Sequence, residues 1–309
     1  MKGPSGDAND AGFEVQFFVR EAVRTMKKRW ITIALALPLV LGFALDNGLP
    51  YALIDHANRP VEERSMLWNE AKVETLALTS QDGTTLSGWW TRKSDAKQTV
   101  IFLHTLGGNR VDLLEFAEPI WRAGFNVVLL DLRSHGMSEG KYFTYGFHEW
   151  QDITAAIDGV TTKQPNQTFA VLGVSAGGTV AISAAARDER IRKVVTVGTF
   201  ADLGETIEAQ TKGLPEGLRR RAIGRSEELA NFKVAETSAK GWISQVKVPV
   251  MIAHGETDSY IPISNGEQLF AAAREPKLFF KIAGANHDSM LRSQDLQREV
   301  IRFLNDGKK

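Results

Sequence analysis

The chain has 309 residues, of which 43% are apolar, and its 37 basic residues balance its 37 acidic residues. This length and composition can bury the core of one catalytic domain with an appendage, but the chain is short for two full enzyme domains. The balanced charge gives no electrostatic footprint for binding nucleic acid, and the absence of cysteine excludes disulfides, thiolate catalysis and cysteine-ligated metal. Because the sequence contains no H-E-x-x-H, P-loop or dinucleotide-binding motif, we expect no cofactor and no metal.

The amino-terminal region predicts a cytoplasmic or disordered leader over residues 1–29 and a membrane anchor or signal segment over residues 30–54. Residues 30–45 are uncharged and follow the basic cluster Lys27-Lys28-Arg29. A basic cluster before an apolar segment predicts a signal anchor, with the amino terminus in the cytoplasm and the catalytic domain outside it. Cleavage of a signal peptide with secretion of the enzyme, and a peripheral helix of a cytoplasmic enzyme, are the alternatives.

From residue 73 onward the sequence alternates between predicted strands and helices. Strands are predicted at 73–79, 86–90, 99–104, 126–131, 169–174 and 193–198, and helices at 110–123, 147–163 and 177–187. This alternation predicts a mostly parallel sheet with helices on both faces, in which ligands bind at the carboxyl ends of the strands. Residues 200–246 interrupt the alternation with glycines and short charged helical pieces, so we predict a small helical cap there.

The most informative motif is Gly173-Val174-Ser175-Ala176-Gly177, between a predicted strand and a predicted helix. A sharp turn of this kind holds the serine in a strained backbone conformation and needs small neighbours, so the hydroxyl projects clear of the sheet. The motif alone is only moderately specific. Three further segments, however, occupy the places that a serine nucleophile on an α/β sheet requires, and Ser175 is therefore the candidate nucleophile.

Two loops at the ends of later strands supply candidates for the acid and the base. Asp258 follows an apolar strand, where a carboxylate can orient an imidazole and stabilise the imidazolium, although Glu256 is close enough to compete. His287 follows the last predicted strand, and a neutral histidine can take the serine proton and return it to the leaving group. His135 is the rival candidate for the base, but it precedes the serine in the chain.

The glycine-bearing loop after the third predicted strand supplies the remaining part of the site. Acyl transfer places negative charge on the carbonyl oxygen, and each backbone N–H aimed at that oxygen contributes about 3–4 kcal/mol in other enzymes. We assign these donors to Ala176, directly after the serine, and to Leu106, before Gly107 and Gly108. The alternative is that the two glycines form only a turn into the following helix.

These segments resemble the α/β-hydrolase superfamily over about residues 70–307 and, in detail, the Bem46-like group, whose members carry an N-terminal membrane segment. The matching motifs are HTLGGN at 104–109, DLRSHGMSEG at 131–140, GVSAGG at 173–178, HGETDSYIP at 254–262 and GANH at 284–287. The resemblance implies the α/β-hydrolase fold, a mostly parallel eight-stranded sheet with helices on both faces and a short cap at about 200–246. Thr105 stands where the group usually has glycine, which bears on Leu106 as a donor because threonine adopts positive φ only at a cost.

Together the residues predict a serine hydrolase in which Ser175 attacks an acyl ester or thioester, His287 shuttles the proton and Asp258 orients His287. We expect a small-molecule or lipid acyl substrate and attachment to a membrane through the N-terminal segment, while the oligomeric state stays open. A prolyl-oligopeptidase-like peptidase is disfavoured because the preceding segment is too short for a propeller. An acyltransferase would use the same triad, and a catalytically silent, membrane-tethered binding module is the alternative from a different class.

Overall fold

The computed structural model describes residues 48–55, 59–61 and 71–306. The chain divides into two units, residues 1–50 and 51–309, and nearly all of the described residues belong to the second. The predicted leader and residues 30–45 of the predicted anchor lie outside the described residues. Among the residues that are described, no helix is long and apolar enough to cross a membrane.

The second unit contains one eight-stranded sheet. Its strands are β1 (Val73–Thr79), β2 (Thr85–Thr91), β3 (Gln98–Leu103), β4 (Asn126–Leu130), β5 (Thr168–Val174), β6 (Ile191–Val197), β7 (Val250–Gly255) and β8 (Lys277–Ile282). They lie in the order β1-β2-β4-β3-β5-β6-β7-β8, in which β2 is antiparallel to both of its neighbours and all other pairs are parallel. The mostly parallel sheet predicted from the sequence is therefore confirmed.

Helices cover both faces of this sheet. The described helices are α1 (Leu49–Ile54), α2 (Leu114–Arg122), α3 (Trp150–Lys163), α4 (Ala176–Ala185), α5 (Leu203–Gln210), α6 (Glu216–Ala230), α7 (Ala239–Ile243), α8 (Ser264–Ala272) and α9 (Gln294–Asn305). Successive residues of a strand face opposite sides of the sheet, and accordingly Val100 and Phe102 of β3 join the apolar cluster that contains α2 and α9. Ile101 and Leu103 join the cluster that contains α3, α4 and α8. Because both faces are covered, the central strands are continuous apolar runs rather than alternating ones.

Two predicted helices begin later than the sequence pattern indicates. The segment predicted as a helix from residue 110 starts with a 3₁₀ turn at Arg110–Leu113. Asn109 Oδ1 accepts the Val111 N–H at the start of this turn, and Asp112 Oδ2 accepts the Asn109 N–H. The helix predicted from residue 147 starts at Trp150. Residues 147–149 instead belong to a turn that begins at Tyr145 and Gly146, whose φ values are 56° and 102°. The Glu149 carboxylate accepts the N–H groups of Thr144 and Gly146 and closes this turn.

The loop that precedes α3 is tied to the carboxyl end of α1. The Phe143 N–H donates to the carbonyl oxygen of Ile54 at 2.9 Å. The Tyr145 hydroxyl donates to the carbonyl oxygen of Leu53 at 2.7 Å. Ile54 itself is fully buried in the apolar cluster on that face. Leu53 and Ile54 are thus part of the packed domain.

Candidate active site

Ser175 lies at the sharp turn between the end of β5 and the start of α4. Its backbone angles are φ 53° and ψ −119°, in a region that non-glycine residues rarely occupy. The Ser175 N–H donates to the carbonyl oxygen of Val197 in β6 at 2.8 Å, which holds the strained turn against the neighbouring strand. This is the geometry that the sequence motif predicts for a nucleophile.

The glycines around Ser175 are required by close approach of backbone to backbone. A Cβ on Gly173 would lie 2.1 Å from the carbonyl oxygen of Gly177, and one on Gly177 would lie 2.5 Å from the carbonyl oxygens of Leu103 and His104. No side chain fits at such distances, so only glycine lets α4 start directly against β3 and β5.

The structure brings Ser175, His287 and Asp258 together in one hydrogen-bonded chain. His287 Nε2 lies 3.2 Å from Ser175 Oγ. His287 Nδ1 lies 2.7 Å from Asp258 Oδ2. The carboxylate accepts the Nδ1–H, which leaves the Nε2 lone pair directed at the serine hydroxyl. The arrangement can therefore carry a proton from the serine to the imidazole.

The Asp258 carboxylate is held by the loop that follows β7. Its Oδ1 accepts the backbone N–H groups of Tyr260 at 3.0 Å and Ile261 at 2.9 Å. The side chain is fully buried. Glu256, its competitor in the sequence, is exposed to solvent. Burial and the two backbone donors therefore distinguish Asp258 from Glu256 in a way that sequence spacing does not.

A second histidine, His254, lies behind Asp258. Its Nε2–H donates to the carbonyl oxygen of Ile261 at 2.8 Å, and the same nitrogen is 3.6 Å from Asp258 Oδ2. Burial lowers the pKa of His254, which favours its neutral form. From the sequence alone, His254 could be placed only at the end of a strand.

The predicted oxyanion donors, Leu106 and Ala176, belong to the loop after β3 and to the start of α4. Ala176 is the first residue of α4, so its N–H has no acceptor within the helix. Leu106 lines the same cavity as Ser175. Thr105 does not occupy the left-handed region; the positive φ of this loop, 67°, falls on Gly107 instead. The replacement of the usual glycine by Thr105 therefore needs no strained backbone at that position.

His135, the rival candidate for the base, lies away from the nucleophile. Its Nε2 accepts the N–H of Gly107 at 3.0 Å, and its Nδ1–H donates to the carbonyl oxygen of Arg133 at 2.9 Å. Both ring nitrogens are engaged with the backbone, and the imidazole that contacts Ser175 is that of His287.

A cavity of 590 Å³ opens beside the triad. It is lined by Arg59, by residues 105–106, 111–112 and 114–116, by Val174 and Ser175, by Tyr260 and by residues 287–288 and 291–292. The Tyr260 ring is 58% exposed and stands 5.1 Å from the His287 ring. None of the lining residues belongs to the insertion 200–246, which contains α5, α6 and α7. Within the described part of the chain, no group of three or more His, Asp or Glu side chains is placed to hold a metal ion.

The sequence is similar to several known proteins. A model of the alpha/beta hydrolase fold family matches residues 98–242. The uncharacterized protein YfhR of Escherichia coli (strain K12) is 27% identical over 245 residues, which cover 75% of this chain and 80% of YfhR. The thermostable monoacylglycerol lipase of Bacillus sp. (strain H-257) is 27% identical over 192 residues, which cover 55% of this chain and 74% of the lipase.

Solved structures share the architecture. The esterase Pf2001 of Pyrococcus furiosus superposes with a TM-score of 0.67 at 22% identity, over 81% of this chain and 98% of the esterase. A hypothetical protein of Pseudomonas aeruginosa, PA2218, superposes with a TM-score of 0.67 at 16% identity, over 82% of this chain and 99% of the PA2218 chain. The chain has the α/β-hydrolase fold, which the family model over residues 98–242 and these solved structures share.

Proposed function

We propose that the protein is a serine hydrolase that cleaves an acyl ester or thioester through an acyl-enzyme intermediate. The observation that carries the proposal is the hydrogen-bonded chain from Ser175 through His287 to Asp258. The α/β-hydrolase fold and the esterase and lipase among the similar proteins support hydrolase activity.

In the first half of the reaction Ser175 Oγ attacks the carbonyl carbon while its proton passes to His287 Nε2. Asp258 stabilises the imidazolium through the Nδ1–H bond, and proton transfer of this kind contributes about 10²–10⁴ in rate. The backbone N–H groups of Leu106 and Ala176 receive the negative charge on the carbonyl oxygen. The intermediate then collapses, and the leaving alcohol or thiol takes the proton from His287.

In the second half water attacks the acyl-enzyme. His287 Nε2 takes one proton from the water as the oxygen bonds to the acyl carbon, and the same oxyanion donors hold the second tetrahedral intermediate. Collapse returns the proton to Ser175 Oγ and releases the carboxylic acid. The free serine and the neutral imidazole are restored, so no external proton carrier is needed.

The cavity beside Ser175 indicates the kind of acyl group that fits. A volume of 590 Å³ lies within the range of about 300–1,000 Å³ that small-molecule sites occupy. Leu114, Phe116 and Val174 contribute buried apolar surface, whereas Glu115 and Asp288 are exposed charges at the same cavity. The proposed substrate therefore has an apolar acyl group of moderate size, and the similarity to a monoacylglycerol lipase makes lipid monoesters the first class to test.

In this proposal the enzyme belongs to the Bem46-like group and is anchored through residues 30–54, with its catalytic domain outside the cytoplasm. The basic cluster before residue 30 supports this orientation. Carbonate extraction and protease protection of membrane fractions test it. We expect the protein to resist extraction and the catalytic domain to be cleaved only from the outer side; release into the supernatant would contradict anchoring.

The activity is tested by covalent labelling with a fluorophosphonate probe. We expect the full-length protein to be labelled at Ser175, as located by peptide mapping, and Ser175→Ala and His287→Ala to remain unlabelled. Ser94→Ala, at an exposed serine, is the matched control and should label like the parent protein. A folded parent protein that neither labels nor hydrolyses p-nitrophenyl esters of two to twelve carbons would overturn the proposal in favour of a silent binding module.

A further inference from the structure

Two buried histidines outside the triad lie against the loop that contains Leu106. His104 and His135 are almost completely buried, and their ring centroids are 5.0 Å apart. The mechanism above uses neither of them. Each of them, however, bonds to the backbone through both ring nitrogens, and one bond of each goes to the loop.

His104 holds the peptide unit between Thr105 and Leu106. Its Nδ1–H donates to the carbonyl oxygen of Thr105 at 2.7 Å, and its Nε2 accepts the N–H of Leu132 at 3.1 Å. The Thr105 carbonyl and the Leu106 N–H belong to one planar peptide unit and point in opposite directions. A bond that fixes the carbonyl therefore also fixes the direction of the N–H that we assign to the oxyanion hole.

His135 holds the next peptide unit, between Leu106 and Gly107. Its Nε2 accepts the Gly107 N–H at 3.0 Å, while its Nδ1–H is anchored on the carbonyl oxygen of Arg133. The ring of Phe143 stands edge-on to the imidazole at 5.2 Å and blocks its displacement. The two peptide planes that flank Leu106 are thus each held by one imidazole.

Both histidines must be neutral and in the same tautomer to make these bonds. Each donates from Nδ1 and accepts at Nε2, which only the neutral Nδ1–H form can do. Burial, with a smaller effect of the neighbouring His135, lowers the pKa of His104 to about 3. Burial also lowers the pKa of His135 below its ordinary value. The surroundings therefore favour the protonation state that the bonds require.

We infer that His104 and His135 are positioning residues of the oxyanion hole, which together hold the peptide units on both sides of Leu106 so that its N–H meets the developing oxyanion. This inference rests on the proposed function, since an oxyanion forms only if Ser175 attacks a carbonyl. Donors that are fixed before the reaction need no reorganisation as charge develops, which is the origin of their catalytic effect.

The two histidines present different atoms to the loop, and this difference provides a test. The side-chain amide of asparagine reaches the position of a histidine Nδ1, and that of glutamine reaches the position of Nε2. At position 104 the loop contact is made by Nδ1, so His104→Asn keeps it and His104→Gln loses it. At position 135 the contact is made by Nε2, so His135→Gln keeps it and His135→Asn loses it.

We expect the two substitutions to rank in opposite order at the two positions. On a p-nitrophenyl ester, His104→Gln and His135→Asn should lower kcat by about 10²–10³, the loss typical of one oxyanion donor, with little change in KM. His104→Asn and His135→Gln should lose less than about tenfold. The shape of the kcat/KM pH profile should be the same in all four variants as in the parent protein, because none of the substitutions touches the triad.

If the Asn and Gln variants rank in the same order of kcat at both positions, or if kcat follows thermal stability alone, the inference is overturned. The two histidines would then only pack the core. A second measurement uses only the parent protein and so does not depend on the folding of any variant. Long-range ¹H–¹⁵N spectra of the protein, labelled in its six histidines, report the tautomer of each ring. An Nε2–H tautomer at either position would equally overturn it. Absence of labelling and turnover in the parent protein would instead remove the proposed function, and this inference with it.

Discussion

The guanidinium of Arg110 and the carboxylate of Asp131 form a buried ion pair, with Nη2 2.9 Å from Oδ2, between the loop after β3 and the loop after β4. Asp131 also accepts the backbone N–H groups of Arg110 and Met137, each at 2.8 Å. Burial raises the pKa of the Asp131 carboxyl even though Arg110 opposes this. The pair ties the loop that contains Leu106 to the segment that carries His135.

Asp131→Asn is expected to lower the free energy of unfolding by about 3–5 kcal/mol, because it leaves the Arg110 guanidinium buried without a counter-charge. Urea unfolding followed by circular dichroism measures the change. Asp95→Asn, at an exposed acid, is the control and should stay within about 0.5 kcal/mol of the parent. Equal stability of the two variants would show that the pair does not hold the loops together.

Replacing Asp258 should separate its role from that of Glu256. In Asp258→Asn the amide can still accept the backbone bonds, but it donates to His287 Nδ1 and places the imidazole proton on Nε2, facing the serine. We expect kcat to fall by about 10⁴ with little change in KM, measured on a p-nitrophenyl ester. Glu256→Gln, the sequence competitor, should keep parental activity, and a similar loss there would contradict the assignment of the acid.

The pKa of His104 predicts how stability changes with pH. In the folded state this pKa is about 3, against about 6.5 in the unfolded chain, so the unfolded state binds the proton more tightly at intermediate pH. The free energy of unfolding is therefore highest above pH 6.5 and decreases as the pH falls towards 3. Between pH 7 and pH 5 this one group lowers it by about 2 kcal/mol. Urea unfolding at the two pH values should show a smaller difference in His104→Asn, and an unchanged difference would argue against a neutral buried imidazole.

Two glycine substitutions should have opposite effects on stability. Gly173→Ala places a Cβ 2.1 Å from the backbone oxygen of Gly177, so we expect a loss of about 1–3 kcal/mol and loss of labelling at Ser175. Gly224→Ala, in the middle of α6, meets nothing within 4 Å and should stabilise the protein by about 0.5–1 kcal/mol. Thermal unfolding of both variants checks the prediction, and the reverse order would contradict the close approach at the turn.

The cavity lining predicts which residues select the acyl chain. Leu291 lines the cavity beside His287. Leu291→Trp should lower kcat/KM for esters of longer acyl chains by at least about tenfold relative to kcat/KM for the acetate ester. The larger side chain would fill part of the cavity, and each methylene group that no longer fits loses its contribution to binding. Leu214→Trp, in the insertion 200–246, should leave the chain-length preference unchanged. A shift caused by Leu214→Trp and not by Leu291→Trp would indicate that the insertion acts as the cap that the sequence predicts.

The sequence was informative where a function needs one residue type in one backbone setting. The strained turn at Ser175 could be predicted because such a turn needs glycine on both sides. The approach of His287 to Ser175 could be predicted because both residues follow parallel strands, whose carboxyl ends lie at the same edge of the sheet. The choice of Asp258 over Glu256 was not secured by spacing, since it depends on burial and on two backbone donors. The bonds from the Gly107 N–H to His135 and from the Leu132 N–H to His104 were not readable, because each joins residues 28 positions apart in the chain.

The bond from Phe143 to Ile54 has a practical consequence for shortening the protein. Removing everything before the first strand would delete the acceptor of the Phe143 N–H and the fully buried Ile54 side chain. Phe143 in turn contacts His135, whose Nε2 accepts the Gly107 N–H. A shortened version of the protein should therefore begin no later than Tyr51. A cut after residue 55 would remove the first of a series of contacts that leads to the loop containing Leu106.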